Sequence, residues 1–285
     1  MAELTIWHSL AVTTGWAALM IALERRFPAD PEQKLFRDGF FLDFFWYTLF
    51  EGAVLGAVIG ALIQYVDTST RWSRLGVVSS WPIAAQLAFF WVTHDLYIYW
   101  FHRWQHGNRW LWRIHEAHHS GKDVDWLSGT RSHSLEILIN QTVEYAPMTL
   151  LGAHPSVAIM KGMLDASWGM FIHSNIDVKM GWLQYVLNGP EMHRVHHAAL
   201  VRRSANFATK IAIWDWIFGT GHRPGVSARV YGLFDDAPFP RGYFAQHLWA
   251  FRPSSTKPSQ APSSRRPPRH RAAPPGLASS PRIRL

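Results

Sequence analysis

The sequence predicts an all-α protein, an integral-membrane helical bundle of about four membrane-embedded stretches carrying a cytosolic, histidine-rich helical cap. Three observations predict it. Four long apolar stretches lie between residues 4 and 171. Only 17% of the chain is charged against 48% hydrophobic, where a soluble domain is roughly a quarter charged. Histidines recur in boxes at spacings of three and four, the spacing that brings side chains onto one helix face. The 16 tryptophans fit the same setting, because indole rings concentrate where lipid meets water.

Leu4–Leu23 is the first stretch, about one bilayer long at 1.5 Å per residue. No basic segment precedes it, so it reads as an anchor helix rather than a cleaved signal. Phe40–Tyr65 is the second, interrupted by Asp43 and Glu51 and carrying Gly52, Gly56 and Gly60 at a spacing that predicts close helix packing. Trp81–Phe101 is the third and runs into the first histidine box. Thr142–Phe171, broken at Gly152-Ala153-His154-Pro155, is too long for one untilted crossing and reads as a helical hairpin. Glu144 and Asp165 within it are costly in lipid and are expected to face protein or a polar cavity.

Arg25, Arg26, Lys34 and Arg37 follow the first stretch, and only Arg71 and Arg74 precede the third. Arg103, Arg109, Arg113, Lys122 and Arg131 come after it. The positive-inside rule then puts the N-terminus outside and the histidine boxes in the cytoplasm. A hairpin at the fourth stretch returns residues 172–252 to the side that holds 102–141, so all boxes can share one site. The chain divides into an anchor over 1–80, a histidine-rich domain over 81–252 and a tail over 253–285.

That tail holds eight prolines, no acidic residue and seven of the eight net positive charges. Such a tract is expected to be disordered, and an electrostatic contact with anionic lipid is the functional reading open to it. It also accounts for a mean hydropathy of only −0.07 in a membrane protein. The rest of the chain is nearly neutral and shows no basic face for nucleic acid. The absence of cysteine excludes disulfides and thiolate metal sites.

His102 and His106 form a pair in HRWQH, His115, His118 and His119 a triplet in HEAHH, and His193, His196 and His197 a triplet in HRVHH. Each box can aim two or three imidazoles at one point. Eight ligands are too many for one ion and suit two. Imidazole takes iron, zinc, copper or nickel, and structural zinc usually gathers four ligands within one short module. Asp95, Glu116, Asp123, Asp125, Glu136 and Asp215 could orient imidazole N–H groups or pair with arginines such as Arg103 and Arg113. His8, His154, His222, His247 and His270 fall outside the boxes and read as non-ligands.

The order His94-Asp95-x-x-x-Tyr99-Trp100-x-His102-Arg103-x-x-His106, then HEAHH, then HRVHH, resembles the fatty acid hydroxylase/sterol desaturase superfamily, bacterial-type members included. The His133–Glu136 element, His173–Asn175 and Trp214-Asp215-x-x-Phe218-Gly219-Thr220 are similar too. The resemblance implies two irons held by His102, His106, His115, His118, His119, His193, His196 and His197, with His173. His94 and His133 also match family positions, as ligands or as supports of ligands. Two departures stand out: Ser134 where the family often has proline, and Asn206-Phe207-Ala208 where Asn-Tyr-Gly is common.

By the same resemblance the chain is an O2-dependent oxygenase that hydroxylates or desaturates a lipid, be it an acyl chain, sterol, carotenoid or ether lipid. No haem or flavin module is evident, so a separate ferredoxin, cytochrome or reductase is the expected electron donor. The rival readings are a membrane haem or metal carrier and a zinc-dependent membrane hydrolase. The first places paired histidines deep within spans, and the second needs only three protein ligands.

Overall fold

The computed structural model describes residues 4–199, 205–222, 230–233, 239–253 and 283–284. Nearly all of the regular structure is helical. Helix α1 is Ile6–Arg26, with Arg25 and Arg26 in its last turn, where cations complement the helix dipole. A π-helical segment, Leu42–Glu51, runs directly into α2, Gly52–Thr70. Arg71 ends α2 in the left-handed conformation at φ 58°. Helix α3, Ile83–Gly107, begins immediately after Pro82. The Asn108 side chain then accepts from the Trp110 and Leu111 N–H groups and starts α4, Arg109–His115.

The fourth apolar stretch is two helices. His133 caps α5, Ser134–Leu150, and Pro155 opens α6, Pro155–His173. The break falls at Gly152, whose φ of 73° suits a residue without a side chain. The first arm starts at Ser134 rather than Thr142, because the cap lies in the polar segment that apolar runs do not mark. Three short helices complete the set: α7 (Pro190–His196), α8 (Ile213–Ile217) and α9 (Tyr243–Trp249). Extended pairing among the described residues is confined to Val178–Lys179 with Ile283–Arg284 and two single bridges. The expectation of a disordered tail falls on 254–282 and 285, outside the described residues.

Helix α1 packs on α6, α2 on α5, and α3 against α4, α5 and α6. Two helical segments, Ile6–Arg26 and Leu42–Thr70, are long and apolar enough to cross a membrane. Their outward faces expose Ile6, Trp7, Leu10, Phe45, Leu49, Val54, Val58 and Leu62, a surface that water would not favour. The glycine stripe does not do what its spacing suggests. A Cβ added at Gly52, Gly56 or Gly60 would meet nothing within 4 Å, and the buried residues of α2 are Ile59 and Ile63.

The polar residue that opens the second stretch is paired rather than lipid-facing. Asp43 is fully buried and accepts from Arg37 at 2.8 Å and from Arg131 at 2.6 and 3.0 Å. Arg37 also grips Asp125 through two hydrogen bonds of 2.7 and 2.8 Å. This four-residue network ties the segment before α2 to the loop that follows the second histidine box. A second core, Tyr99, Phe207 and Ala208 with Trp214 and Phe218, holds the loop after the third box against α3.

Candidate metal centre

Nine histidines converge where α3, α4, α6 and α7 meet, and they form two groups. His102, His106, His115, His119 and His196 make one; His118, His173, His193 and His197 make the other. Within each group the ligating nitrogens lie within 4.8 Å of one another. The groups adjoin, with ring centroids 4.5 Å apart between His119 and His197.

Helix geometry explains the division. His102 and His106 lie one turn apart near the end of α3. In the second box, α4 ends at His115 and the chain tightens into a 3-10 turn over His118–Ser120. His115 and His119 therefore face one group while His118 faces the other. The third box repeats the pattern with the groups exchanged: His193 and His197 go together, and His196 crosses to the first group. The spacing suggests a whole box aimed at one point. Instead, each triplet straddles both groups.

The ring orientations are fixed from outside. His102 Nδ1 lies 2.7 Å from the Phe207 carbonyl, His118 Nδ1 3.0 Å from Arg131, His173 Nδ1 2.8 Å from Gly169 and His196 Nδ1 2.8 Å from Ala205. A carbonyl only accepts, so each Nδ1 carries the proton and each Nε2 keeps a free lone pair. His115 does the same toward the Glu136 carboxylate at 2.9 Å, the kind of support that metal-bound imidazoles commonly have.

The inward nitrogens have nothing to bond but each other. Nε2 atoms face at 3.2 Å between His115 and His119, 3.2 Å between His119 and His196, 2.9 Å between His173 and His193, and 3.2 Å between His193 and His197. Those of His102 and His106 are buried without any partner. Burial first, and then neighbouring imidazoles, hold His118, His119, His193, His196 and His197 well below the usual histidine range. They are neutral, the form that binds a metal. Ligands about 2.1 Å from a common ion stand roughly 3.0–3.4 Å apart for right-angled to tetrahedral geometry, so the donor set and its spacing fit two ions.

Of the remaining candidates, His133 joins neither group because both its nitrogens are used. Nδ1 accepts from Leu135 N–H at 3.1 Å and Nε2 faces the His247 carbonyl at 3.1 Å. His94 also stands apart, grouped with Glu144 and Asp165. Lys161 lies at the centre of that cluster, 2.7 Å from each carboxylate and 3.0 Å from His94 Nδ1. Glu144 and Asp165 thus face protein and a cavity, as their cost in lipid requires. His222 bonds Asn206 through its backbone and belongs to neither group.

Among the six carboxylates that might orient imidazoles, only Glu136 is hydrogen-bonded to a grouped histidine among the described residues. Glu116 pairs with Arg252 at 2.9 Å and Asp125 with Arg37, not with Arg103 or Arg113. Asp95 and Asp215 act on backbone. Asp95 accepts from Lys210 and Ile211 N–H groups, and Asp215 from those of Phe207 and Ala208. Gly129 is a residue the sequence did not single out. A Cβ there would lie 2.6 Å from His173 Nδ1, so only glycine leaves room for the ring.

A cavity of about 290 Å³ adjoins both groups, lined by His102 and His115 from one and by His118, His173 and His193 from the other. Phe101, Trp168 and Ile172 give it apolar walls, and His94, Glu144 and Asp165 lie at its margin.

Comparison with known proteins is consistent with this geometry. Residues 87–220 match the profile of the fatty acid hydroxylase family. The chain is 28% identical to an ornithine lipid hydroxylase of Rhizobium tropici over 77% of its own length and 68% of that protein's. It is 34% identical to human alkylglycerol monooxygenase over 49% of the chain, spanning 31% of that relative. A methylsterol monooxygenase of Arabidopsis thaliana is 26% identical over 51% of the chain and 58% of its own length. No solved structure matches.

Proposed function

Since residues 87–220 make this chain a member of the fatty acid hydroxylase superfamily, we propose that it is a multi-pass membrane oxygenase of lipids. It uses O2 and electrons from a separate donor to hydroxylate, or desaturate, its substrate. The observation that carries the reading is the pairing of two histidine groups around one cavity, with bare Nε2 atoms turned toward each other. His102, His106, His115, His119 and His196 would hold one iron, and His118, His173, His193 and His197 the other. Two irons held there would supply the oxidising equivalents that an unactivated C–H bond demands and no side chain can provide.

The chain's own residues do the rest. Glu136 and the four carbonyls keep the imidazoles in the tautomer that leaves Nε2 free. Phe207 stacks its edge on His102 and lies 5.3 Å from His106, walling one group off from water. Phe101, Trp168 and Ile172 seat a hydrocarbon segment and exclude solvent from it. Helices α3, α5 and α6 join the two long apolar segments as membrane-embedded elements, with the metal groups on the cytoplasmic side. The relatives named for an ornithine lipid, an alkylglycerol and a methylsterol support a lipid substrate.

The test is to produce the protein and its His196→Ala variant in a lipid-rich bacterium and compare lipid extracts by mass spectrometry. A species gaining one oxygen, or losing two hydrogens, only with the intact protein is the expected result. Unchanged extracts together with a purified protein that carries zinc alone would overturn the reading in favour of a hydrolase. A Soret band would point to haem.

A further inference from the structure

The cavity beside the histidine groups has a polar margin that a purely hydrocarbon ligand would leave unmatched. At that margin Lys161 donates to Glu144, Asp165 and His94 Nδ1, at 2.7, 2.7 and 3.0 Å. An ammonium has three protons and no lone pair, so all three are committed and His94 Nδ1 must be an acceptor. The proton of a neutral His94 therefore sits on Nε2. That N–H is buried with no hydrogen-bond partner, and the Glu144 carboxylate is 4.0 Å away, beyond hydrogen-bond range.

His94 is 8% exposed and lines the cavity. Trp168 lines it as well, and its Nε1–H is likewise buried and unpartnered. The carboxylates of the cluster are already matched by ammonium groups. Lys161 serves Glu144 and Asp165, and Lys210 stands 3.5 Å from the other Asp165 oxygen. Those two ammonium groups already supply the positive charge that His94, Glu144 and Asp165 could otherwise take from a metal ion or a cationic headgroup. Asp165 Oδ1 accepts no hydrogen bond but has the Lys210 ammonium beside it. The N–H donors of His94 and Trp168, by contrast, are left without a partner, and a buried donor left unpaired is costly.

We propose that His94 Nε2–H, with Trp168 Nε1–H, forms a subsite for a carbonyl oxygen of the substrate, the ester or amide oxygen that lies where a lipid chain joins its head. The proposal rests on the oxygenase reading for its consequence, though not for its geometry. His94 and His102 both line the cavity and are eight residues apart on α3, about 12 Å along the axis. A carbonyl seated at His94 fixes which part of the chain lies beside the histidine groups. His94 is thus a positioning residue, and the oxidised carbon is set by its distance from that oxygen.

The experiment uses the metal-loaded full chain in nanodiscs, equilibrated with an equimolar mixture of methyl hexadecanoate and methyl hexadecyl ether. These probes differ by one carbonyl. The ratio retained over empty nanodiscs is read by mass spectrometry. Wild type should retain the ester about 3- to 10-fold over the ether, the range one net hydrogen bond supplies. His94→Leu should bring the ratio close to one. His94→Gln, which can accept from Lys161 and still donate, should restore it. Equal retention by wild type, or an undiminished preference in His94→Leu, would overturn the proposal. Should the leucine variant not fold, the wild-type ratio and Trp168→Phe carry the test, and an unchanged ratio in the latter removes Trp168 from the subsite. Ester preference in a protein that carries zinc alone and leaves lipid extracts unchanged would sink the oxygenase reading alone, and oxidation without preference would sink the subsite alone.

Discussion

His102 and His196 are ninety-four residues apart in sequence, yet they hang from one loop. His102 Nδ1 bonds the Phe207 carbonyl at 2.7 Å and His196 Nδ1 the Ala205 carbonyl at 2.8 Å, leaving the rings 4.4 Å apart. The loop between those carbonyls is held by Asn206, in the left-handed conformation at φ 58°, and by Asp215. A first-box and a third-box histidine are therefore oriented by the same three residues.

That arrangement makes Asp215 a remote determinant of the site. Its buried carboxylate accepts from Phe207 N–H at 2.9 Å, Ala208 N–H at 3.0 Å and the Thr220 hydroxyl at 2.7 Å. Asp215→Ala should cost about 1.5–3 kcal/mol, the scale of hydrogen bonds to a charged group, and loosen both imidazoles. Thermal unfolding and metal content, measured on the same preparation, should fall together.

The division of the boxes predicts which ion each histidine controls. His196→Ala should deplete the first group and His197→Ala the second, although the two are sequence neighbours. Metal analysis should give a loss of one ion in each variant, and combining His196→Ala with His119→Ala should cost no further ion. Combining it with His197→Ala should remove both. Equal metal content in the single and double variants of different groups would refute the division.

Glu136 accepts from His115 Nδ1 at 2.9 Å. Glu136→Ala should lower metal affinity or turnover about 10- to 100-fold, the usual effect of removing such a partner. Glu136→Gln, whose amide oxygen still accepts, should lose much less. Chelator competition on the purified protein distinguishes the two.

Gly129→Ala forces a methyl into the space of the His173 ring, 2.6 Å from Nδ1. The ring must swing away from the Gly169 carbonyl that holds it. The expected outcome is selective loss of the second ion with little change in helix content by circular dichroism. Serine at the same position should be no better, since the obstacle is the Cβ itself.

Arg37, Asp43, Asp125 and Arg131 are almost wholly buried, with side-chain exposures from 0 to 8%. Removing one partner leaves another charge uncompensated, which typically costs about 3–5 kcal/mol. Asp43→Ala should therefore destabilise the fold far more than a surface substitution such as Lys34→Ala, as read from thermal aggregation of detergent extracts.

The sequence by itself determined the long helices and the cast of histidines. Apolar runs of bilayer length and a Gly-x-x-Pro break are local signals, and they marked α1, the α2 segment, α3 and the α5–α6 turn. They did not mark the start at Ser134 or the polar last turns of α2 and α3, which run on to Thr70 and Gly107. Spacings of three and four picked out eight histidines, and the family resemblance added His173. The tertiary structure decided how they are shared. Which nitrogen of HEAHH or HRVHH faces which group depends on where α4 and α7 end and on the angle at which they meet α3 and α6. The partners of the carboxylates were equally beyond reach, because Asp125 finds Arg37 and Glu136 finds His115 through chain crossings rather than spacing. His94 and His133 show the same limit. Both match family positions, but Lys161 and the Leu135 N–H claim their nitrogens, and only the packed chain brings those donors to them.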